Sequence, residues 1–226
     1  KKTVRKEANK LLKIGAKQNQ PDLQIAAMNL LMDLPSENKL KLLTFALKDR
    51  NPSFVARTLD LMPSKLNSKE YALLIKTLNS VSAETQVPII YWLGNNKVEK
   101  AIPAISRLAT SSNTLVKTAA IRSLAKMDNK DAMVELAGLL TGDDKETISL
   151  AKEALTTYGG DMAYTLASVF NSSSDKGKLA ILQLIASRRM DSQYNLVYNQ
   201  LFTDNAKVKE EAAKTLQYVS TKDNLK

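Results

Sequence analysis

This chain predicts an all-α solenoid of stacked αα-hairpins, on three observations. An apolar block with helical spacing recurs about every 31 residues, a second helical block precedes each copy, and polar turns separate the blocks. No stretch alternates β-branched with polar residues between turns, so no sheet is expected. One hairpin cannot bury its apolar face alone, whereas about seven stacked in register share a continuous core. The whole of residues 1–226 reads as one such repeat domain.

The elements follow in order. Residues 1–17, KKTVRKEANKLLKIGAK, place Lys2, Lys6, Lys10, Lys13 and Lys17 three or four apart on one helical face, as a basic capping helix. The second member of each hairpin carries a leucine anchor. These are Leu30, Leu59, Leu93, Leu124, Leu155, Leu184 and Leu216, at intervals of 29 to 34 residues. First members include SENKLKLLTFALKD (36–49), SKEYALLIKTLNSV (68–81), KVEKAIPAISRLATS (97–111), NKDAMVELAGLLTG (129–142) and DSQYNLVYNQLFTD (191–204). Turns such as NQPD, DRNPS, SSN, GDD, SSSD and TDN supply caps for the helices that follow. Pro21, Pro35, Pro52 and Pro63 suit first turns or loops, while Pro88 and Pro103 should kink a helix or move its start.

The stretch NTLVKTAAIRSLAKM (113–127) shows the logic of one second helix. At about 100° per residue, Val116, Ala119, Ala120, Leu124 and Met127 share a face opposite Thr118, Arg122 and Lys126, with Asn113 as cap. Lys117 and Lys209, each after a valine, read as scaffold contacts to the preceding turn that staple neighbouring hairpins. Asp143 and Asp144 read as caps, favoured at the positive end of a helix dipole.

Composition narrows the chemistry. The chain lacks both cysteine and histidine, which removes disulfides, thiolate nucleophiles, His-based triads and the usual zinc sites. No catalytic, cofactor-binding or metal-binding residues are expected. The formal charge is +10, and about +6 of it lies in residues 1–17. That balance suits a polyanion such as nucleic acid or an acidic membrane surface. No apolar run reaches the roughly 18–20 residues of a membrane span. The start at Lys1, without an apolar leader, reads as a piece of a longer chain.

The stretch LGNNKVEKAIPAISRLATSSNTLVKTAAIRSLAKMDNKDAMVELAGLL resembles the HEAT repeat, in particular its short phycobilin-lyase-type variant. Leu93, Gly94, Ala101, Pro103, Leu108, Asn113, Val116, Lys117, Ala120 and Leu124 match the pattern in place, and ALTTYGGDMA is similar to an inter-repeat junction. The resemblance implies a right-handed superhelix with a concave binding surface, and no single activity. The Lys- and Asn-rich bacterial character is similar to arrays in exported multidomain proteins, which favours an exported or periplasmic setting over the cytoplasm.

If second helices line the binding surface, the positions two before each anchor are Met28, Arg57, Tyr91, Arg122, Glu153, Leu182 and Lys214. The row mixes cation, aromatic, acid and aliphatic groups, unlike a phosphate-tracking groove. It suits a protein partner, or a neighbouring domain of the same chain, met by a monomeric, non-enzymatic scaffold. Arg57, Tyr91, Arg122, Glu153 and Lys214 are the candidate contacts. Trp92 reads as core, beside an exposed Tyr91. One alternative is nucleic-acid binding, as in HEAT-like alkylated-base glycosylases that use several tryptophans and an aspartate. This chain has one tryptophan, followed in sequence by no nearer carboxylate than Glu99. The other alternative is a small-ligand or glycan pocket lined by Tyr158, Tyr164 and Tyr194.

Overall fold

In the computed structural model, which describes residues 2–34, 38–49 and 51–224, every regular element is helical. Pro35 and the first two residues of block 36–49 lie outside the described residues. Two units of stacked hairpins are present, Lys1–Asn96 and Lys97–Lys226.

The first unit holds α1 (Lys2–Lys17), α2 (Pro21–Met32), α3 (Lys39–Ala46), α4 (Pro52–Asp60), α5 (Ser68–Thr77) and α6 (Ala83–Asn95). Second helices pack in the order α2, α4, α6, and α3 packs on both α4 and α5. The core starts with Ala8 and Leu12 of α1 against Ala27, Met28 and Leu31 of α2, then Leu42 and Ala46 of α3 and Phe54 of α4. Phe45 meets Phe54 edge-on, with ring centroids 6.4 Å apart. Each large apolar side chain buried here contributes about 1.5–3 kcal/mol, against about 1 kcal/mol for a typical cap, so packing outweighs local signals.

Proline and glycine test the helix boundaries in this unit. Pro21 and Pro52 open α2 and α4 as expected. Pro88 lies inside α6, which begins at Ala83, so the helix start has not moved. Lacking an N–H, Pro88 leaves the Glu84 carbonyl without its helical donor. Gly94 is buried inside α6, and the turn falls later, at Asn96 and Lys97.

The second unit holds α7 (Ile102–Leu108), α8 (Thr114–Met127), α9 (Lys130–Gly138), α10 (Lys145–Thr156), α11 (Ala163–Phe170), α12 (Asp175–Ser187), α13 (Tyr194–Asn199) and α14 (Ala206–Val219). Its second helices pack as α8, α10, α12, α14, and its first helices as α7, α9, α11. A 3-10 turn at Glu99–Ala101 leads into α7, so Pro103 sits in the first turn where it costs little.

The clearest register mark is the residue before each second helix. These are Gln20, Asn51, Ser82, Asn113, Asp144, Ser174 and Asn205, five steps of 31 residues and one of 30. Asn51, Asn113, Asp144, Ser174 and Asn205 accept backbone N–H bonds through their side chains. Eleven residues further on lie Leu31, Met62, Leu93, Leu124, Leu155, Ile185 and Leu216, the true anchor series. Three anchors from the leucine alignment are therefore corrected. Leu30 is 47% exposed while Leu31 is fully buried, and Leu59 and Leu184, though buried, stand three and one residues early. Adjacent apolar residues such as Leu30 and Leu31, or Leu184 and Ile185, offer two choices about 100° apart on the helix, and only the neighbouring hairpin selects one.

Candidate interaction face

Nine residues after each cap lies a position that points away from the core. It is occupied by Asn29, Asp60, Tyr91, Arg122, Glu153, Gln183 and Lys214. Met28 and Leu182, expected in this row, are fully buried, and Asn29 and Gln183 take their places. The displacement follows from the shifted anchors. Arg57 is exposed on α4, but one turn before the row, where Asp60 stands.

In the first unit, Asp60, Tyr91 and Trp92 line a cleft of about 420 Å³ between α4 and α6, together with Pro88, Asn95 and Asn96. Tyr91 is half-buried and Trp92 is 8% exposed, so the indole is core with one edge at the cleft. Sequence reasoning missed Asp60, because α4 was aligned on Leu59. The cap spacing from Asn51 was the signal that identifies it.

In the second unit, Arg122 and Glu153 line a smaller cleft of about 140 Å³ between α8 and α10, with Ala125, Leu150, Ala154 and Thr157. Gln183 accepts from Lys152 Nζ at 2.8 Å. Lys214 donates to Glu210 on its own helix at 2.7 Å, which raises the lysine and lowers the glutamate from their ordinary pKa values. This exposed pair partly satisfies Lys214 within the helix.

Lys117 belongs to the scaffold, though its partners lie in the following turn. Nζ donates to Asp144 Oδ2 at 2.8 Å and to Glu146 Oε2 at 2.9 Å, linking α8 to the start of α10. Those hydrogen bonds raise the Lys117 pKa, and Lys117 followed by Thr147 hold the Asp144 carboxyl far below the usual range. Of the two aspartates expected to cap, Asp144 caps and Asp143 instead accepts from Lys176 through its backbone carbonyl. Gln24, at the register of Lys117, donates to Asp49 at 2.7 Å in the same manner. Lys209 shares the register, yet makes no ion pair among the described residues.

Among the described residues, no ring contact joins Tyr158, Tyr164 and Tyr194. Tyr194 stacks on Tyr198 at 5.9 Å and Tyr198 meets Phe202 edge-on at 5.5 Å, while Tyr164 is 84% exposed on α11. Among the described residues, no group of three acidic side chains is placed to hold a metal ion, and no helix is long and apolar enough to cross a membrane.

No match is found among curated proteins. Among solved structures the chain is similar to an engineered protein at 20% identity, covering 94% of this chain and 96% of that one, with a TM-score of 0.44. It is also similar to a designed armadillo repeat protein at 15% identity, covering 80% of this chain and 100% of that one, with a TM-score of 0.42. Both likenesses are loose. The family model for HEAT repeats matches residues 71–156. That match runs from within α5 to the end of α10, 86 of the 226 residues.

Proposed function

We propose that this protein is a non-enzymatic interaction scaffold that binds a protein, or another domain of its own chain, through the exposed row on its second helices. The observation that supports this most is the row itself. One solvent-facing side chain recurs at nearly constant sequence spacing, and its chemistry changes from hairpin to hairpin. Within either unit, a partner laid across its second helices meets a different group at each step, which favours one sequence over others.

The two clefts sharpen this reading. Asp60 beside Tyr91 and the edge of Trp92 offers a carboxylate and aromatic surface, a combination that takes a lysine or arginine of a partner. Arg122 and Glu153 add one charge of each sign in the second unit. Candidate contacts are thus Asp60, Tyr91, Arg122 and Glu153, with Arg57 and Lys214 at the margin.

Site-specific photo-crosslinking in the native host tests the proposal. A crosslinker at Tyr91 or Arg122 should capture one discrete partner, and Asp60→Lys or Arg122→Glu should lower that yield at least tenfold. Equal yield from a crosslinker at Tyr164, or capture unchanged by both substitutions, would overturn it.

A further inference from the structure

The first unit separates its charges between its two helix layers. On α1, Lys2, Lys6, Lys10, Lys13 and Lys17 are all exposed, and at about 100° per residue they fall within an arc of about 80° opposite buried Ala8, Leu12 and Gly15. On the next first helix Lys41 stands opposite Leu43 and Ala46, and Lys48, seven residues on, follows in the turn after the helix. On α5, Lys69 and Lys76 repeat that spacing, away from Leu74. The acids on these helices lie elsewhere. Glu7 is about 60° off the α1 stripe, and Glu70 is buried in the capping box of α5. Second helices of the same unit carry Arg57 as their one cation, against Asp22, Asp60 and Glu84.

The lysines form a continuous field. Lys13 and Lys41 line one cleft of about 170 Å³ between α1 and α3. Lys48 lines the groove that runs from Thr44 of α3 to Leu73 and Thr77 of α5, beside Asp49, whose carboxylate accepts from Gln24. Among the described residues none of these nine lysines is in an ion pair. Like charges this close repel one another, and a polyanion relieves that repulsion.

We infer that the first-helix face of residues 1–96 docks on an anionic lipid bilayer. A flat polyanion matches a field that extends about 22 Å along α1 and continues over α3, the turn after it and α5. All nine cations are lysine, whereas nucleic-acid sites favour the bidentate fork of arginine and exposed aromatic rings for stacking. Phe45, the phenylalanine within the field, is half-buried against Phe54. The apolar side of α1 is covered by α2, so attachment is electrostatic rather than by insertion. This face is separate from the second-helix row, and its test does not depend on that row.

The test is co-sedimentation of the full chain with vesicles of phosphatidylcholine alone or with 30% phosphatidylglycerol, at low and high salt. Binding to the anionic vesicles, lost at high salt and absent from neutral vesicles, is expected. Lys6→Glu/Lys10→Glu/Lys13→Glu should lower it at least tenfold, and the milder Lys41→Gln/Lys48→Gln/Lys69→Gln/Lys76→Gln should lower it measurably, with helical circular dichroism unchanged. Lys126→Glu/Lys130→Glu/Lys145→Glu, with the same net charge as the first variant, should bind like wild type. No vesicle binding, equal loss in that control, or tighter binding to a 30-base-pair DNA duplex in fluorescence anisotropy would each overturn the inference.

Discussion

Lys117 shows what a single buried cation does in a repeat. Its side chain is 10% exposed, while its partners Asp144 and Glu146 keep 55% and 47% of theirs in water. Desolvation therefore falls on the ammonium, which two charge-assisted hydrogen bonds offset. Asp144 also caps α10 by accepting from Thr147 N, so one carboxylate joins a cap to a staple. Asp144→Asn should keep the cap and lose one of the two ion pairs of Lys117, and so lower the urea midpoint less than Asp144→Ala. The pH dependence has two edges. The carboxyl is depressed in the fold, so its contribution is complete above the ordinary carboxylate value near 4 and fades as pH falls through its lower folded value. The ammonium is raised, so its contribution holds below the ordinary lysine value near 10.4 and fades as pH climbs past its higher folded value. The midpoint difference between wild type and Lys117→Met should be flat from about pH 5 to 9 and shrink towards pH 2.

Within elements, the close approach of α12 to the 3-10 turn at Leu139–Thr141 depends on Gly177. A Cβ there would stand 1.9 Å from the Leu140 carbonyl oxygen, a backbone atom with no rotamer to yield. Gly177→Ala should therefore destabilise the second unit by about 1–3 kcal/mol despite alanine's better helix propensity, as measured by chemical denaturation. The corrected register gives a matched pair. Leu31→Ala should cost about 2–5 kcal/mol, and Leu30→Ala, on the exposed neighbour, about 0.5 kcal/mol or less. Hairpin order, turns and the cap of α8 were legible in sequence, because Asn113 and the 3.6-residue spacing act locally. The buried member of Leu30 and Leu31 was not, since both fit an amphipathic helix and packing on the next hairpin decides. Asp60 was hidden by the same ambiguity at Leu59, and the Lys117 partners by a contact 27 residues away.

At the scale of the whole molecule, stability in stacked hairpins is a chain of nearest-neighbour terms, and cooperativity weakens with distance. Removing the Lys117 staple should consequently speed amide hydrogen exchange in α8 and α10 and leave α2 at its wild-type rate. Uniform acceleration throughout would show a single cooperative unit instead. The register also bears on how such a chain changes length. Because Asn113 and Asp144 occupy equivalent cap positions 31 residues apart, a second copy of residues 113–143 spliced in after residue 143 keeps every cap and anchor in phase. Only the first copy's lysine would find an asparagine and a leucine where Asp144 and Glu146 had been. Growth by one hairpin thus keeps both ion pairs and leaves one added lysine unpaired, and duplication within the gene is a route to a longer stack that leaves the fold intact.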